Sequence, residues 1–572
     1  MRKNSPETIL QFRNSTIPHC SYLSNVEPST VLDQFLKWEA NEPGRVYLLQ
    51  PFNGQYKTWT WAQAGDEARR IASGLLSLNL PPKSPVAILS KNCAHWIMAD
   101  LAILMAGHIS VPVYPTLGAD SILPVLLHSE ARAIFIGKLD DFSAQEEGIP
   151  ASLIRISFPD YGTECEYRWG NWIKEFQPMG QPYLWTQDEV FTIIYTSGTT
   201  GHPKGVMHTL GNVDYWIKAV LSELKVPDHP SLLSYLPLSH VAERWAIECT
   251  GIYVGAVLTF TETIETFVKN LSDASPFLFF GVPRIWEKFK SRIREKMPDQ
   301  RLDLLLRIPL IGALIKKRVR NKLGFSKTVL FYSAAAPISE STLVFFDKLG
   351  ITIRQVYGMT EDSALSHLIP PGENRIGSVG RKMRGVETRI SENGEIRVKS
   401  QALMKGYYKE PELTALMFDE EGYLKTGDQG EYDPEGYLFL TGRIKDQFKT
   451  DKGKYISPAA IEMKLLTHPD IEMACVVGAG IPQPVALLNL TEAAAGKPRA
   501  ELARSLSAFL QGVNAGLDNF ERLKKLIVTP AWTIGNGLIT PTLKVKRNEL
   551  EKRYAPKYAQ WYEERATVIW EE

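Results

Sequence analysis

From Val190 the chain reads Val-Phe-Thr-Ile-Ile-Tyr and then, without a break, Thr196-Ser-Gly-Thr-Thr-Gly-His-Pro-Lys204-Gly. The first six residues, apolar, β-branched and aromatic, specify a strand. Behind them stand three glycines, four hydroxyl side chains and one lysine. Glycines let backbone N–H groups approach an anion closely, hydroxyls donate to its oxygens, and Lys204 adds a positive charge. The segment therefore reads as a phosphate-binding loop hung on the end of a strand. Its spacing is not that of P-loop NTPases, because the lysine lies three residues past Gly201 and is followed by Gly205 rather than by Ser or Thr. A Walker-type ATPase is disfavoured. Taken alone, the segment also fits an ordinary Gly/Ser/Thr-rich turn.

Short β-branched runs at Val86 to Leu89, Ala133 to Ile136 and Phe191 to Tyr195 alternate with helical patterns at Ala62 to Leu78 and Ile122 to His128. That alternation predicts an α/β fold with mostly parallel sheets. After Asp419 the texture changes to short segments separated by Gly and Asp, which predicts hairpins leading to a boundary. The expected organisation is a large N-terminal part of α/β subdomains, residues 1–441, a hinge at 442–446, and a small C-terminal α/β domain at 447–572. The last is long enough to carry its own core.

Composition narrows the class. A net charge of +1 argues against a chain built around nucleic acid. The five cysteines, Cys20, Cys93, Cys165, Cys249 and Cys475, form no C-x-x-C pair and leave an odd one over, which fits a reducing, cytoplasmic setting. The polar N-terminus lacks the apolar core of a secretory signal. Trp96 to Tyr114, the most apolar stretch, is interrupted by Asp100 and His108 and predicts a core helix followed by a buried strand, not a membrane span. Between Trp286 and Lys327, thirteen Lys/Arg face four Asp/Glu around a leucine-rich stretch. This pattern predicts either peripheral attachment to an anionic membrane or a basic helix whose leucines pack inward.

Further motifs follow the loop in order: Tyr235-Leu-Pro-Leu-Ser-His240, Ser333-Ala-Ala-Ala-Pro337, Tyr357-Gly-Met-Thr-Glu361, Thr426-Gly-Asp428, Gly442-Arg-Ile-Lys-Asp446 and Pro541-Thr-Leu-Lys544. With Thr196 to Gly205 they resemble the adenylate-forming (AMP-binding) superfamily across nearly the whole chain. Leu236 to Arg244, Val282 to Lys288 and Thr540 to Arg547 are most similar to long-chain fatty acyl-CoA synthetases. The resemblance implies activation of a fatty acid by ATP and Mg²⁺ to an acyl-adenylate, followed by transfer to CoA. A fatty acyl-AMP ligase that loads a carrier protein and a non-catalytic acyl or nucleotide binder stand as alternatives.

The same resemblance assigns roles. Thr196, Ser197, Gly198, Thr199, Thr200 and Gly201, with Lys204, would embrace the β- and γ-phosphates. Thr196 and Glu361 would hold Mg²⁺, a hard cation that needs oxygen ligands, and Thr360 would contact the α-phosphate. Adenine would lie between Tyr357, followed by Gly358 and Met359, and the segment Ala334, Ala335, Ala336; Ala334 stands where glycine is commoner in the family. Asp428 would accept both ribose hydroxyls, an acceptor-only task, with Arg443 on the same sugar. His240 would border the carboxylate pocket. Lys544 would neutralise the carboxylate and α-phosphate oxygens as they meet. After adenylation the small domain would turn and offer a pantetheine tunnel at Asp451 to Lys454, where Gly453 permits close approach of the thiol arm of CoA.

Overall fold

The computed structural model describes residues 29–197, 203–334, 336, 338–540 and 543–571. At its centre is an eight-stranded sheet in the order Gly406–Tyr407, Pro203–Thr209, Val190–Ser197, Ile109–Val113, Pro85–Leu89, Ala133–Ile136, Ile154–Ser157 and Tyr167–Arg168. From Val190–Ser197 to Tyr167–Arg168 the neighbours run parallel, joined by helices such as Ala94–Met105 and Ala119–Ser129. Every residue of Ala94–Met105 is buried, so the stretch too short and too interrupted to span a membrane is a core helix followed by the strand Ile109–Val113. Asp100 within it is neutralised rather than solvated: both its oxygens accept from Arg244 Nη2, at 2.7 and 2.6 Å.

A four-stranded sheet (Ser231–Ser234, Val257–Phe260, Val46–Phe52, Gln55–Thr60) and a five-stranded one (Leu278–Phe280, Leu330–Ser333, Ile353–Tyr357, His367–Leu368, Arg381–Lys382) pack beside it. A further sheet from Glu387 to Arg443 is wholly antiparallel. The sheets are thus mixed rather than mostly parallel. Tight Gly- and Asp-containing turns return the chain directly to its neighbour, and a hairpin can only be antiparallel. No helix among the described residues is long and apolar enough to cross a membrane.

The apolar clusters formed by residues 31–440 share no member with those formed by residues 448–570. The latter surround the sheet Ile471–Val477, Val485–Leu490, Leu526–Val528, Val568–Trp570. Between the two lies the 3-10 turn Ile444–Asp446. Polar contacts cross the divide: Arg284 pairs with Glu472 at 2.5 Å, and Gln447 Nε2 donates to Gln429 Oε1 at 2.7 Å.

Candidate active site

Ser333 and Tyr357 end two adjacent parallel strands, and Thr196 lies in the last turn of the pleat of Val190–Ser197. Carboxyl ends of parallel strands are where open α/β sheets bind ligands. The loop that follows Val190–Ser197 turns back into Pro203–Thr209, and the register sets Lys204 directly opposite Thr196. Gly198, Thr199, Thr200, Gly201 and Ala335 lie outside the described residues, as does the side chain of Ser197. Ala334 is half-buried and Ala336 exposed beside the strand end at Ser333.

Tyr357 is 6% exposed, and its hydroxyl donates to Asp428 Oδ2 at 2.9 Å. Asp428 Oδ1 lies 2.6 Å from Arg443 Nε, because the antiparallel register places those two residues opposite each other. One partner on each oxygen leaves each a lone pair for a further donor. Burial and the Asp428 charge push the Tyr357 phenol well above its usual value, so it remains a donor.

After Tyr357 the chain makes a compressed turn. Met359 N–H donates to Asp362 Oδ1 at 2.7 Å, and Ala364 N–H donates to the Met359 carbonyl at 2.7 Å. A Cβ on Gly358 would stand 2.3 Å from the Ala364 carbonyl carbon, so only glycine fits. The capping bond is made by Asp362, which releases Glu361 from that task. Glu361, 8% exposed, instead accepts from the Tyr407 hydroxyl at 2.6 Å. Tyr407 in turn carries Lys204 Nζ 5.3 Å from its ring centroid. Thr360 opens this turn, half-buried beside Glu361.

Charge ties these residues to the C-terminal part. Lys544 is an exposed residue whose ammonium nevertheless has protein around it. That crowding, with Arg443 nearby, lowers its pKa to about 8, while Asp428 and Glu361 act in the opposite sense. Burial and then Lys445 lower the Lys204 ammonium, partly offset by Glu361 and Glu410. His240 is lowered to about 3 by burial and then by Lys544, so it is uncharged at neutral pH. Its Nδ1 accepts from Ala242 N–H at 3.2 Å, which assigns the proton to Nε2. Lys544, Arg443, Asp428, Glu361, His240, Tyr357, Lys204 and Lys445 therefore form one electrostatic group. Gly453 does not join it: the turn holding it, at φ 72°, is fastened by Gly453 N–H to the Thr450 carbonyl at 3.0 Å and by Asp451 N–H to Ile481.

Several partners carried no signal in the sequence. Tyr407 is brought to Glu361 by a short strand pairing antiparallel with Pro203–Thr209. Asn92 fastens the His240 segment: its Nδ2 donates to Ser234 Oγ at 2.8 Å and to the Leu236 carbonyl at 2.5 Å, and its Oδ1 accepts from Leu238 N–H at 3.0 Å. Glu243 accepts from Ser234 Oγ and Tyr235 N–H at 3.0 and 2.9 Å. Among the described residues no three His, Cys, Asp or Glu side chains cluster as a metal cage. Glu361 could supply one carboxylate to a Mg²⁺ that arrives with phosphates, the usual manner for this ion.

Comparison with known proteins adds the following. The model of the AMP-binding enzyme family matches residues 35–408, and that of the AMP-binding enzyme C-terminal domain matches residues 445–566. A long-chain-fatty-acid–CoA ligase of Mycobacterium bovis is 29% identical over 92% of this chain and 96% of its own length. Another of the same description from Xenopus laevis is 28% identical over 94% and 85%. Among solved structures, the adenylation domain of a carboxylate reductase from Mycobacterium chelonae superposes with a TM-score of 0.79 at 21% identity, covering 98% of this chain and 96% of that one. The anthranilate CoA ligase AuaEII in complex with anthranoyl-AMP gives 0.77 at 19% identity, covering 93% and 98%. At such identities the two structures speak for the fold alone.

Proposed function

The chain belongs to the AMP-binding enzyme family, and on that premise we propose that it is a long-chain fatty acid–CoA ligase that forms acyl-CoA, AMP and pyrophosphate by way of an acyl-adenylate. Relatives of that description aligned over nearly the full chain support the substrate class. The observation that carries the chemistry is Lys544, whose ammonium feels the charges of Arg443, Asp428 and Glu361 and acts in turn on His240.

A carboxylate is a poor electrophile until its oxygen is converted into a leaving group. Bringing it to the α-phosphate of ATP sets negative charge against negative charge, and Lys544 is placed to offset the charge that gathers as the two meet. Neutral His240 offers an Nε2–H that can hold the fatty carboxylate without transferring a proton to it. Asp428 and Arg443 would hold the ribose, and Tyr357 would present its ring to adenine against Ala334–Ala336. Lys204 and Thr196, with the loop between them, would face the β- and γ-phosphates. Bound at Glu361 and Thr196, Mg²⁺ would supply charge neutralisation for the pyrophosphate.

For the thiol step we divide the chain at 442–446 and assign rotation of residues 447–572, which withdraws Lys544 and brings Gly453 to the adenylate. The separate apolar clusters on either side of the turn support that division. We place the enzyme in the cytoplasm, in keeping with the four described cysteines, all unpaired. Pyrophosphate exchange across acids of increasing chain length, followed by AMP formation with CoA, tests the reading. Exchange that peaks with long-chain acids and AMP formation that requires CoA are expected. Exchange with no dependence on added acid would refute adenylation, and AMP formation only with a holo carrier protein would assign the alternative acceptor.

A further inference from the structure

The helices Asp299–Leu306 and Pro309–Lys322 turn an apolar edge away from the protein. Leu310 is 82% exposed, Leu314 68% and Leu304 62%, joined by the exposed Ile308 and Ile311. Of the residues in Pro309–Lys322 only Gly312 is buried. Ile315 and Val319 pack inward against the neighbouring core. Leu310, Leu314, Lys317, Arg318 and Asn321 follow one another at helical spacing and are all exposed, so the apolar half of the outer stripe passes directly into a basic half. Exposed apolar patches rimmed by charge of one sign mark contact sites rather than ordinary surface.

Charge identifies the partner. Residues 286–327 carry thirteen Lys/Arg and four Asp/Glu in a chain of net charge +1. Several cations of this region are committed: Arg294 pairs with Asp299 at 2.6 Å, Lys290 is held by Thr342 at 2.5 Å, and Arg320 donates to the Thr328 carbonyl at 2.6 Å. Lys316, Lys317, Arg318 and Lys322 make no ion pair among the described residues. A short leucine and isoleucine edge beside unpaired lysines and an arginine is complementary to a surface with an anionic face over an apolar interior.

We propose that the outer edge of Leu304–Lys322 is a docking surface for anionic bilayers, on which Leu310, Ile311 and Leu314 enter the acyl boundary while Lys317, Arg318 and Lys322 meet lipid phosphates. The apolar edge is far too short to span a bilayer but has the make-up of an interfacial helix. Attachment is reversible and salt-sensitive, because each basic residue adds only a few-fold to partitioning and the field is screened within about 8 Å at physiological salt. The surface acts independently of which acid is activated, so it stands or falls apart from the assigned reaction. For a substrate that itself resides in membranes, it would shorten the path between bilayer and crevice.

The experiment is co-sedimentation of the full chain, without ATP or acid, with vesicles of phosphatidylcholine alone or mixed with phosphatidylglycerol. Wild type is expected in the pellet only with the anionic vesicles and only at low salt. Changing Lys317, Arg318 and Lys322 together to Glu is expected to weaken partitioning by about a hundredfold, and Leu310→Ser with Leu314→Ser to weaken it at every salt concentration. The swap of Lys317→Arg, Arg318→Lys and Lys322→Arg is expected to preserve it. Arg320 is left alone because it fastens the end of the helix, and an unchanged melting temperature confirms that each variant folds. Equal pelleting of wild type and the Glu variant, or none of wild type at low salt, overturns the proposal. So does a dimer, seen by sedimentation without vesicles, that the leucine substitutions dissociate, since the edge is then covered by a second copy.

Discussion

Lys544 titrates within reach of ordinary assays, and its neighbours dictate how. Crowding by protein and the proximity of Arg443 bring its pKa down to about 8, while Asp428 and Glu361 hold it up. Only the ammonium can offset charge on the reacting oxygens, so the free enzyme loses its competent form as pH rises through about 8. About nine-tenths of Lys544 is charged at pH 7 and about half at pH 8. Acid-dependent pyrophosphate exchange should therefore show a kcat/KM that falls tenfold per pH unit above that point. In the ATP complex the phosphates favour the charged form, so the corresponding limb in kcat should lie at higher pH. Replacing Arg443 by Gln removes a neighbour that lowers Lys544 and should move the limb up; replacing Asp428 by Asn removes one that raises it and should move the limb down. Lys544→Arg should abolish the limb, since guanidinium does not deprotonate in this range. Lys544→Ala should cost about 10²- to 10³-fold in exchange, the usual worth of one preorganised donor. The reasoning fails if wild type and Lys544→Arg share a limb, or if the Arg443 and Asp428 variants shift it in the same direction.

Asp428→Ala and Arg443→Ala should each raise the KM for ATP, by about ten- to hundredfold, more than that for the fatty acid. Because the two side chains pair at 2.6 Å, the double variant should lose less than the product of the single losses; strict multiplication in steady-state kinetics would deny a shared ligand. Gly453→Trp should spare pyrophosphate exchange and block transfer from supplied acyl-adenylate to CoA, and loss of exchange in the folded variant would remove the tunnel from that loop. Gly358→Ala drives a Cβ to 2.3 Å from backbone, so it should destabilise by about 1 to 3 kcal/mol and lower the melting temperature. An unaltered melt would mean that the turn holding Glu361 is not compressed.

Motif order let Lys204, Glu361, Asp428, Arg443 and Lys544 be named without coordinates as candidates for the chemistry, and the structure brings them within electrostatic reach of one another. The sequence also made the helix and strand at Trp96 to Tyr114 legible, since Asp100 and His108 interrupt the run; that Asp100 is answered by Arg244 only the structure shows. What remained hidden is contact between distant segments. Tyr407 reaches Glu361 only through an edge strand of two residues, and two residues carry no periodicity. Asn92 clamps the His240 segment from about 145 residues upstream, where a lone Asn after a strand reads as a turn. The antiparallel sheet at Glu387 to Arg443 was foreshadowed by its Gly and Asp turns, but the parallel expectation for the earlier sheets underrated the hairpins at their edges. In the basic segment the apolar side chains divide: Ile315 and Val319 pack inward, whereas Leu310 and Leu314 are exposed.

The electrostatic group draws on both parts of the chain. Lys204, Lys445, Arg443 and Lys544 supply four cations, answered at longer range by the carboxylates Asp428, Glu361, Glu410 and Asp446 around a neutral His240. Burial first, and then the neighbouring cations Lys445 and Arg443 respectively, lower the pKa values of Lys204 and Lys544, which is a readiness to lose protons. Salt-bridge partners could have been provided, as they are for Arg244 deep in the core, where Asp100 answers it at 2.6 Å. Arg443 has such a partner in Asp428 at 2.6 Å, whereas Lys204, Lys445 and Lys544 make no ion pair among the described residues, the last two lying on the C-terminal side of Arg443. A lysine without a close ion-pair partner stabilises most the species with most negative charge on the oxygens it faces. A carboxylate approaching a triphosphate is such a species, and on the proposed reaction Lys544 would meet it from the C-terminal part. On the proposed reaction, ATP would give these lysines close anionic partners and departing pyrophosphate would remove them, which would give the C-terminal part a reason to move at that step and not before.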